Sequence, residues 1–162
     1  MELQDLRIAV VGTGAVGASV AADLVRAGLD VRLIDQWPAH VEAMRADGLT
    51  VDTLGDVQVT QVRAHHLCEV AELREPFDLV FTSVKTYDTR WVAELMRPLM
   101  RPDSVLVGLQ NGMTIDQVAA TLGADRTIGC AMGIAANLRE PGFVRRQVAT
   151  ADTWFSIGTL SG

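Results

Sequence analysis

The stretch RIAVVGTGAVGASVAADLVRAGLDVRLIDQW, residues 7–37, restricts the fold of this chain more than any other feature. Residues 7–11 are a short apolar run, rich in β-branched side chains, that ends against a glycine and suits a strand buried in a parallel sheet. Over residues 15–27 the period changes. Val16, Val20, Leu24 and Ala27 fall at helical spacing, and Gly28 stops the helix. Residues 31–34 form a second apolar strand that ends at Asp35. Strand, tight turn, helix and strand make a βαβ unit, because parallel strands need a crossover of helical length.

The turn of that unit is GTGAVG. A dinucleotide carries two phosphates, and free backbone N–H groups at a helix N-terminus hold them without a dedicated cation. Gly12 permits the tight turn, Gly14 removes the side chain where backbone meets pyrophosphate, and Gly17 lets the helix lie close on the strand. Thr13, Ala15 and Val16 occupy the positions between these glycines. A lone GxGxxG is weak, but here it follows a strand, opens a helix and precedes an acidic strand end. Asp35 stands close to the expected ~20 residues beyond the turn, where a carboxylate accepts hydrogen bonds from the adenosine ribose hydroxyls. A 2′-phosphate would meet like charge there, and no Arg or Lys lies between Ile34 and His40, so NAD(H) is expected over NADP(H). The same carboxylate also suits a cap for a helix beginning near Pro38. Trp37 suits either flanking the adenine or covering a sheet edge.

The alternation of strand and helix continues. Residues 38–46 read as a helix closed by Gly48, and residues 49–62 alternate around Gly55 like a small hairpin covering a sheet edge. FDLVFTSV, residues 77–84, reads as a third major strand, followed by a helix over 89–100 that Pro98 weakens or ends. Asp103 and Ser104 lead into the strand and turn of VLVGLQNG, and residues 114–122 form a further helix closed by Gly123. Beyond Arg126 only short β-type runs appear, at 127–135, 143–149 and 154–158, and these are expected to add antiparallel strands to the sheet. The fold class is therefore α/β, a doubly wound, mostly parallel Rossmann-like sheet in one domain, residues 1–162.

Composition narrows the partners. With 14 Lys and Arg against 20 Asp and Glu, the net charge is −6, and the basic residues are scattered, so nucleic acid is not an expected partner. No apolar run reaches the ~18 residues of a membrane span and the polar start is unlike a signal peptide, so a cytoplasmic protein is expected. Cys68 and Cys130 lack metal or redox spacing and read as buried, reduced thiols. His65 and His66 are adjacent, so in a strand they point apart and make a poor metal pair; no metal is expected. Arg145 and Arg146 read as a solvated strand edge.

In a doubly wound sheet, ligands bind beyond the carboxyl ends of the strands. Val84 and Lys85 end one apolar strand and Asn111 with Gly112 follows another, which places them on the same rim as the glycine turn. An ammonium there can bind a ribose hydroxyl or a carboxylate, and a carboxamide offers donor and acceptor together. From spacing alone, an ordinary loop lysine and an asparagine before a turn glycine remain equally good readings. Tyr87 and Asp88 suit a helix start and N-cap as well as a site.

With VVGTGAVG, VKTYDT, LQNGM and the closing FSIGTLSG in place, the chain resembles the N-terminal domain of the ketopantoate reductases, the 2-dehydropantoate 2-reductases of pantothenate biosynthesis. The resemblance implies hydride transfer from a nicotinamide cofactor to the keto group of a small 2-keto acid. It implies that Lys85 lies near the nicotinamide ribose and substrate, that Asn111 contacts cofactor and substrate at the reacting centre, and that residues 12–17 cradle the pyrophosphate. Members in the strict sense look NADP-dependent and carry basic or neutral polar groups where this chain has Asp35. The family also continues into a helical C-terminal domain with a general-acid lysine, which these 162 residues do not contain. The chain by itself is accordingly expected to bind NAD(H) with little or no turnover, and exposed apolar surface is expected to favour self-association. A regulatory NAD(H)-sensing domain shares the glycine turn and acidic strand end, and is the alternative.

Overall fold

The computed structural model describes residues 2–112 and 114–160. The chain opens with β1 (Arg7–Val11), α1 (Ala15–Arg26), β2 (Asp30–Asp35) and α2 (Pro38–Asp47). Next come β3 (Leu49–Thr53), β4 (Asp56–Thr60), β5 (Arg63–His66) and β6 (Phe77–Thr82). It continues through α3 (Thr89–Met96), β7 (Met100–Gly108), α4 (Ile115–Leu122) and β8 (Thr127–Gly133), and closes with β9 (Ala136–Glu140), β10 (Phe143–Arg146) and β11 (Trp154–Thr159).

The main sheet has seven strands in the order β11-β8-β7-β6-β1-β2-β5. All neighbours in it are parallel except β11, which runs antiparallel to β8 at the edge. Strand β1 shows why the centre is buried on both faces: Ile8 and Val10 join one core cluster while Ala9 and Val11 join another, the two-residue period of a covered strand. On the first face, Ala18, Ala21 and Ala22 of α1 pack with Val41 and Met44 of α2. On the second, Val92, Ala93 and Met96 of α3 pack with Val118 and Leu122 of α4. The doubly wound α/β fold read from the sequence is the fold found.

The structure corrects several expectations. The hairpin of β3 and β4 does not cover an edge of the main sheet. It belongs to a second sheet, β4-β3-β10-β9, in which β10 runs parallel to β3 and antiparallel to β9. Of the late β-type segments only β8 and β11 extend the main sheet, and β8 does so in parallel. The second sheet packs Val51 and Val144 into the α1 core, so α1 lies between two sheets. This arrangement overturns the solvated reading of Arg146, which is only 2% exposed: β10 is interior, and the guanidinium meets Asp23 of α1 at 2.6 Å and donates to Thr153 Oγ1 at 2.8 Å. Its neighbour Arg145, on the opposite side of the strand, pairs with Asp52 at 3.0 Å and keeps about half its side chain in solvent. Cys68 is exposed rather than buried, because it sits in a surface turn, and Cys130 is partly buried, which pushes its thiol up. The helix before Pro98 ends at Met96, and β7 starts earlier than the apolar pattern suggested, at Met100.

Candidate functional site

A cleft of about 850 Å³ opens along the carboxyl ends of β1, β2, β6 and β7. Gly12, Gly14, Ala15 and Val16 line its middle, Asp35, Gln36 and Leu67 one end, and Val84, Lys85, Tyr87 and Asn111 the other. Turn residues that are distant in sequence meet here because the parallel strands all finish on the same rim.

The glycine loop is fixed by contact. Gly12 has φ +85°, and a Cβ on it would lie 2.6 Å from Val84 Cγ1 and 2.9 Å from the Val84 nitrogen. A Cβ on Gly17 would lie 2.1 Å from the Gly12 carbonyl oxygen. Gly14 differs: nothing stands within 4 Å of its Cβ position, and the N-terminus of α1 that it caps carries no side-chain hydrogen bond. The helix therefore presents uncapped N–H groups toward open space beside a residue without a side chain, which fits a phosphate or pyrophosphate group.

Thr13 and Gly17 do not line the cleft. Thr13 is buried, and its N–H and Oγ1 both donate to Asp35 Oδ2, at 2.7 and 3.0 Å. Asp35 Oδ1 accepts the N–H of Trp37 at 2.9 Å, so the carboxylate orients both the glycine loop and the entry to α2. Asp35 thus lines the cleft but does not cap α2, whose N-cap is Trp37 and carries no side-chain cap bond. Beyond it, between α2 and the end of β5, Arg45 pairs with Glu69 and Glu42, and His66 Nε2 lies 2.5 Å from Glu42. The Arg45 hydrogen bond, assisted by the His66 N–H, holds the Glu69 carboxyl below the usual range. Burial pushes the neighbouring His65 down, and its Nε2 has no partner.

The opposite end is built differently. Val84, Lys85 and Asn111 reach the cleft together, as their strand-end positions required. Lys85 and Asn111 are exposed, and neither side chain is hydrogen-bonded to another described residue. Tyr87 is 80% exposed. Asp88 precedes α3 without capping it; its carboxylate accepts the Trp91 Nε1–H at 2.6 Å. Two residues that hold the rim were not singled out from sequence. Gln110, buried, donates through Nε2 to the Val84 carbonyl at 2.7 Å and to Thr89 at 2.8 Å, while its Oε1 accepts the Thr114 hydroxyl at 2.8 Å. His40, buried, bridges the Thr13 carbonyl and the Gly142 N–H. A polar residue inside an otherwise apolar strand end was the available signal for Gln110; His40 left none.

The sequence model described as ketopantoate reductase PanE/ApbA matches residues 8–161. The chain belongs to the ketopantoate reductase family. A 2-dehydropantoate 2-reductase of Nostoc sp. is 30% identical over 121 residues, which cover 74% of this chain and 36% of that protein. The crystal structure of 2-dehydropantoate 2-reductase from Geobacter metallireducens superposes with a TM-score of 0.84 at 32% identity, over 96% of this chain and 50% of that one. A ternary structure of D-mandelate dehydrogenase with NADH and anilino(oxo)acetate shares the fold, with a TM-score of 0.81 at 22% identity over 94% of this chain and 47% of that one. The chain thus spans from about a third to half the length of these proteins. Among the described residues there is no cluster of His, Cys, Asp or Glu that could hold a metal ion, and no helix long and apolar enough to cross a membrane.

Proposed function

We propose that this chain is the dinucleotide-holding part of a ketopantoate reductase-like oxidoreductase that acts on a small 2-keto acid, and that it takes NAD(H) in preference to NADP(H). The observation that carries the reading is the open Cβ position of Gly14 at the uncapped start of α1, with Asp35 on the same cleft. Backbone N–H groups of α1 receive the pyrophosphate, and the Asp35 carboxylate accepts ribose hydroxyls while repelling a 2′-phosphate. When bound, a nicotinamide supplies the hydride. Val84, which packs against Gly12, is a wall of the cofactor path.

At the rim, the Lys85 ammonium offers a donor to the carboxylate or developing oxyanion of a keto acid, and the Asn111 carboxamide orients the carbonyl. Both are solvent-exposed, so nothing described here dries the reacting centre, and the chain alone is expected to turn over little or no substrate. Calorimetric titration of the purified chain with NADH and NADPH, beside Asp35→Ala, tests the reading. The expected result is tighter NADH binding, weakened about tenfold by the substitution, which is the loss of one hydrogen bond to a charged group. Equal binding of both cofactors would remove the specificity claim, binding of neither the cofactor claim, and keto-acid reduction at the rate of a full-length relative the claim about turnover.

A further inference from the structure

His40 is fully buried on α2, and its ring joins two backbone groups far apart in the chain. Nε2 lies 2.7 Å from the Thr13 carbonyl, and Nδ1 lies 2.8 Å from the Gly142 nitrogen in the turn between β9 and β10. A ring nitrogen that faces a carbonyl must carry hydrogen, and one that faces an N–H must be bare. The imidazole is therefore the neutral Nε2–H form. Trp37 stacks on it with centroids 5.9 Å apart. The Gly142 turn is itself pressed on α2, with φ +77° and a Cβ position 3.0 Å from Ala43 Cβ. The second sheet is thereby tied through one imidazole to the glycine loop, and through Thr13 to Asp35.

That connection matters for specificity. A carboxylate at a strand end can turn about its side-chain torsions and yield to a 2′-phosphate unless something holds it. Here Oδ2 takes two donors from Thr13 and Oδ1 takes the Trp37 N–H. A carboxylate has about four acceptor positions, so capacity for a ribose hydroxyl remains on Oδ1 while rotation is opposed by three bonds. The position of Thr13 depends in turn on its carbonyl being fixed by His40.

We propose that His40, acting through Thr13, is a positioning residue for cofactor choice: it holds the Asp35 carboxylate where it rejects a 2′-phosphate. This rests on the dinucleotide reading of the cleft. Four variants separate the links. His40→Gln places an amide N–H near Nε2 and keeps the donor to Thr13; His40→Asn keeps only an acceptor for Gly142. Thr13→Ser keeps the hydroxyl donor to Asp35, and Thr13→Val removes it.

Dissociation constants for NADH and NADPH, with thermal melting in parallel, give the readout. The expected result is that His40→Asn and Thr13→Val each reduce the NADH-over-NADPH ratio about tenfold, while His40→Gln and Thr13→Ser stay within about twofold of the native chain. Variants that melt cooperatively with an unchanged ratio overturn the proposal and leave His40 as packing alone. If His40→Asn does not fold, a fall in the ratio for His40→Gln with none for Thr13→Val overturns it equally. A native chain that binds neither cofactor is a different failure, of the dinucleotide reading itself, and takes this inference with it.

Discussion

The two ends of the cleft are made by opposite means. At the Asp35 end the groups that shape the cleft are braced: the carboxylate bonds Thr13 and Trp37, Thr13 bonds His40, and Gly12 and Gly17 sit in contacts that exclude a Cβ. At the Lys85 end Lys85 and Asn111 are exposed and unheld by any described residue, and the order lies one layer beneath them in Gln110. On the proposed reading, the difference teaches that binding and reaction are separable. A dinucleotide can be held by preorganised backbone, whereas a developing oxyanion needs donors fixed in a dry site.

The sharpest way to break this comparison uses two glycines of one motif. Gly17→Ala forces a Cβ into the Gly12 carbonyl and is expected to cost about 1–3 kcal/mol of stability together with binding, as overpacking does. Gly14→Ala meets no atom within 4 Å, so melting should stay native while dinucleotide affinity falls. If both variants change melting alike, the open space at Gly14 is not a ligand's place.

Gln110→Leu probes the hidden order at the other end. Removing the amide strands the Val84 carbonyl and the Thr89 and Thr114 hydroxyls, which should lower stability by about 1–3 kcal/mol in urea unfolding. By contrast, Lys85→Ala and Asn111→Ala should leave unfolding within about 0.5 kcal/mol of native, as expected for exposed side chains without partners among the described residues. A large loss from either would show that the rim is a structural element after all.

The smallest effect expected is in pH dependence at the Asp35 end. Burial lowers the His65 pKa in the folded chain, so folding favours its neutral form. The unfolded chain then takes up the proton first as pH falls, and stability present above the ordinary histidine value of about 6.5 is lost below it. The urea midpoint should drop between pH 7 and pH 5, and His65→Gln should flatten that part of the slope.

What could be read from the sequence follows the range of the interactions. The βαβ start is local: its periods, its glycines and the acid at its end lie within thirty-odd residues, and β1, α1 and β2 were placed almost to the residue. Lys85 and Asn111 reached the cleft for the same reason, since the strand ends of a parallel sheet share a rim. The second sheet was not legible, because β3 and β10 pair across about ninety positions and the hydrophobic alternation of a hairpin is the same whichever sheet it joins. The burial of Arg146 and the role of His40 both depend on that pairing and were lost with it.

The Arg146–Asp23 pair carries one more consequence. Its partners lie 123 positions apart, and the His40–Gly142 bond closes a span of 102. During synthesis, the opening βαβ unit emerges first and looks self-sufficient, yet its helix stays bare on one side until residues 136–153 are available to close over it. Such long loops form slowly, because their closure entropy is spent before any contact rewards it. The nascent chain therefore acquires its glycine turn early and the bracing of that turn late, so maturation of the cleft should track the arrival of the second sheet rather than that of the glycines.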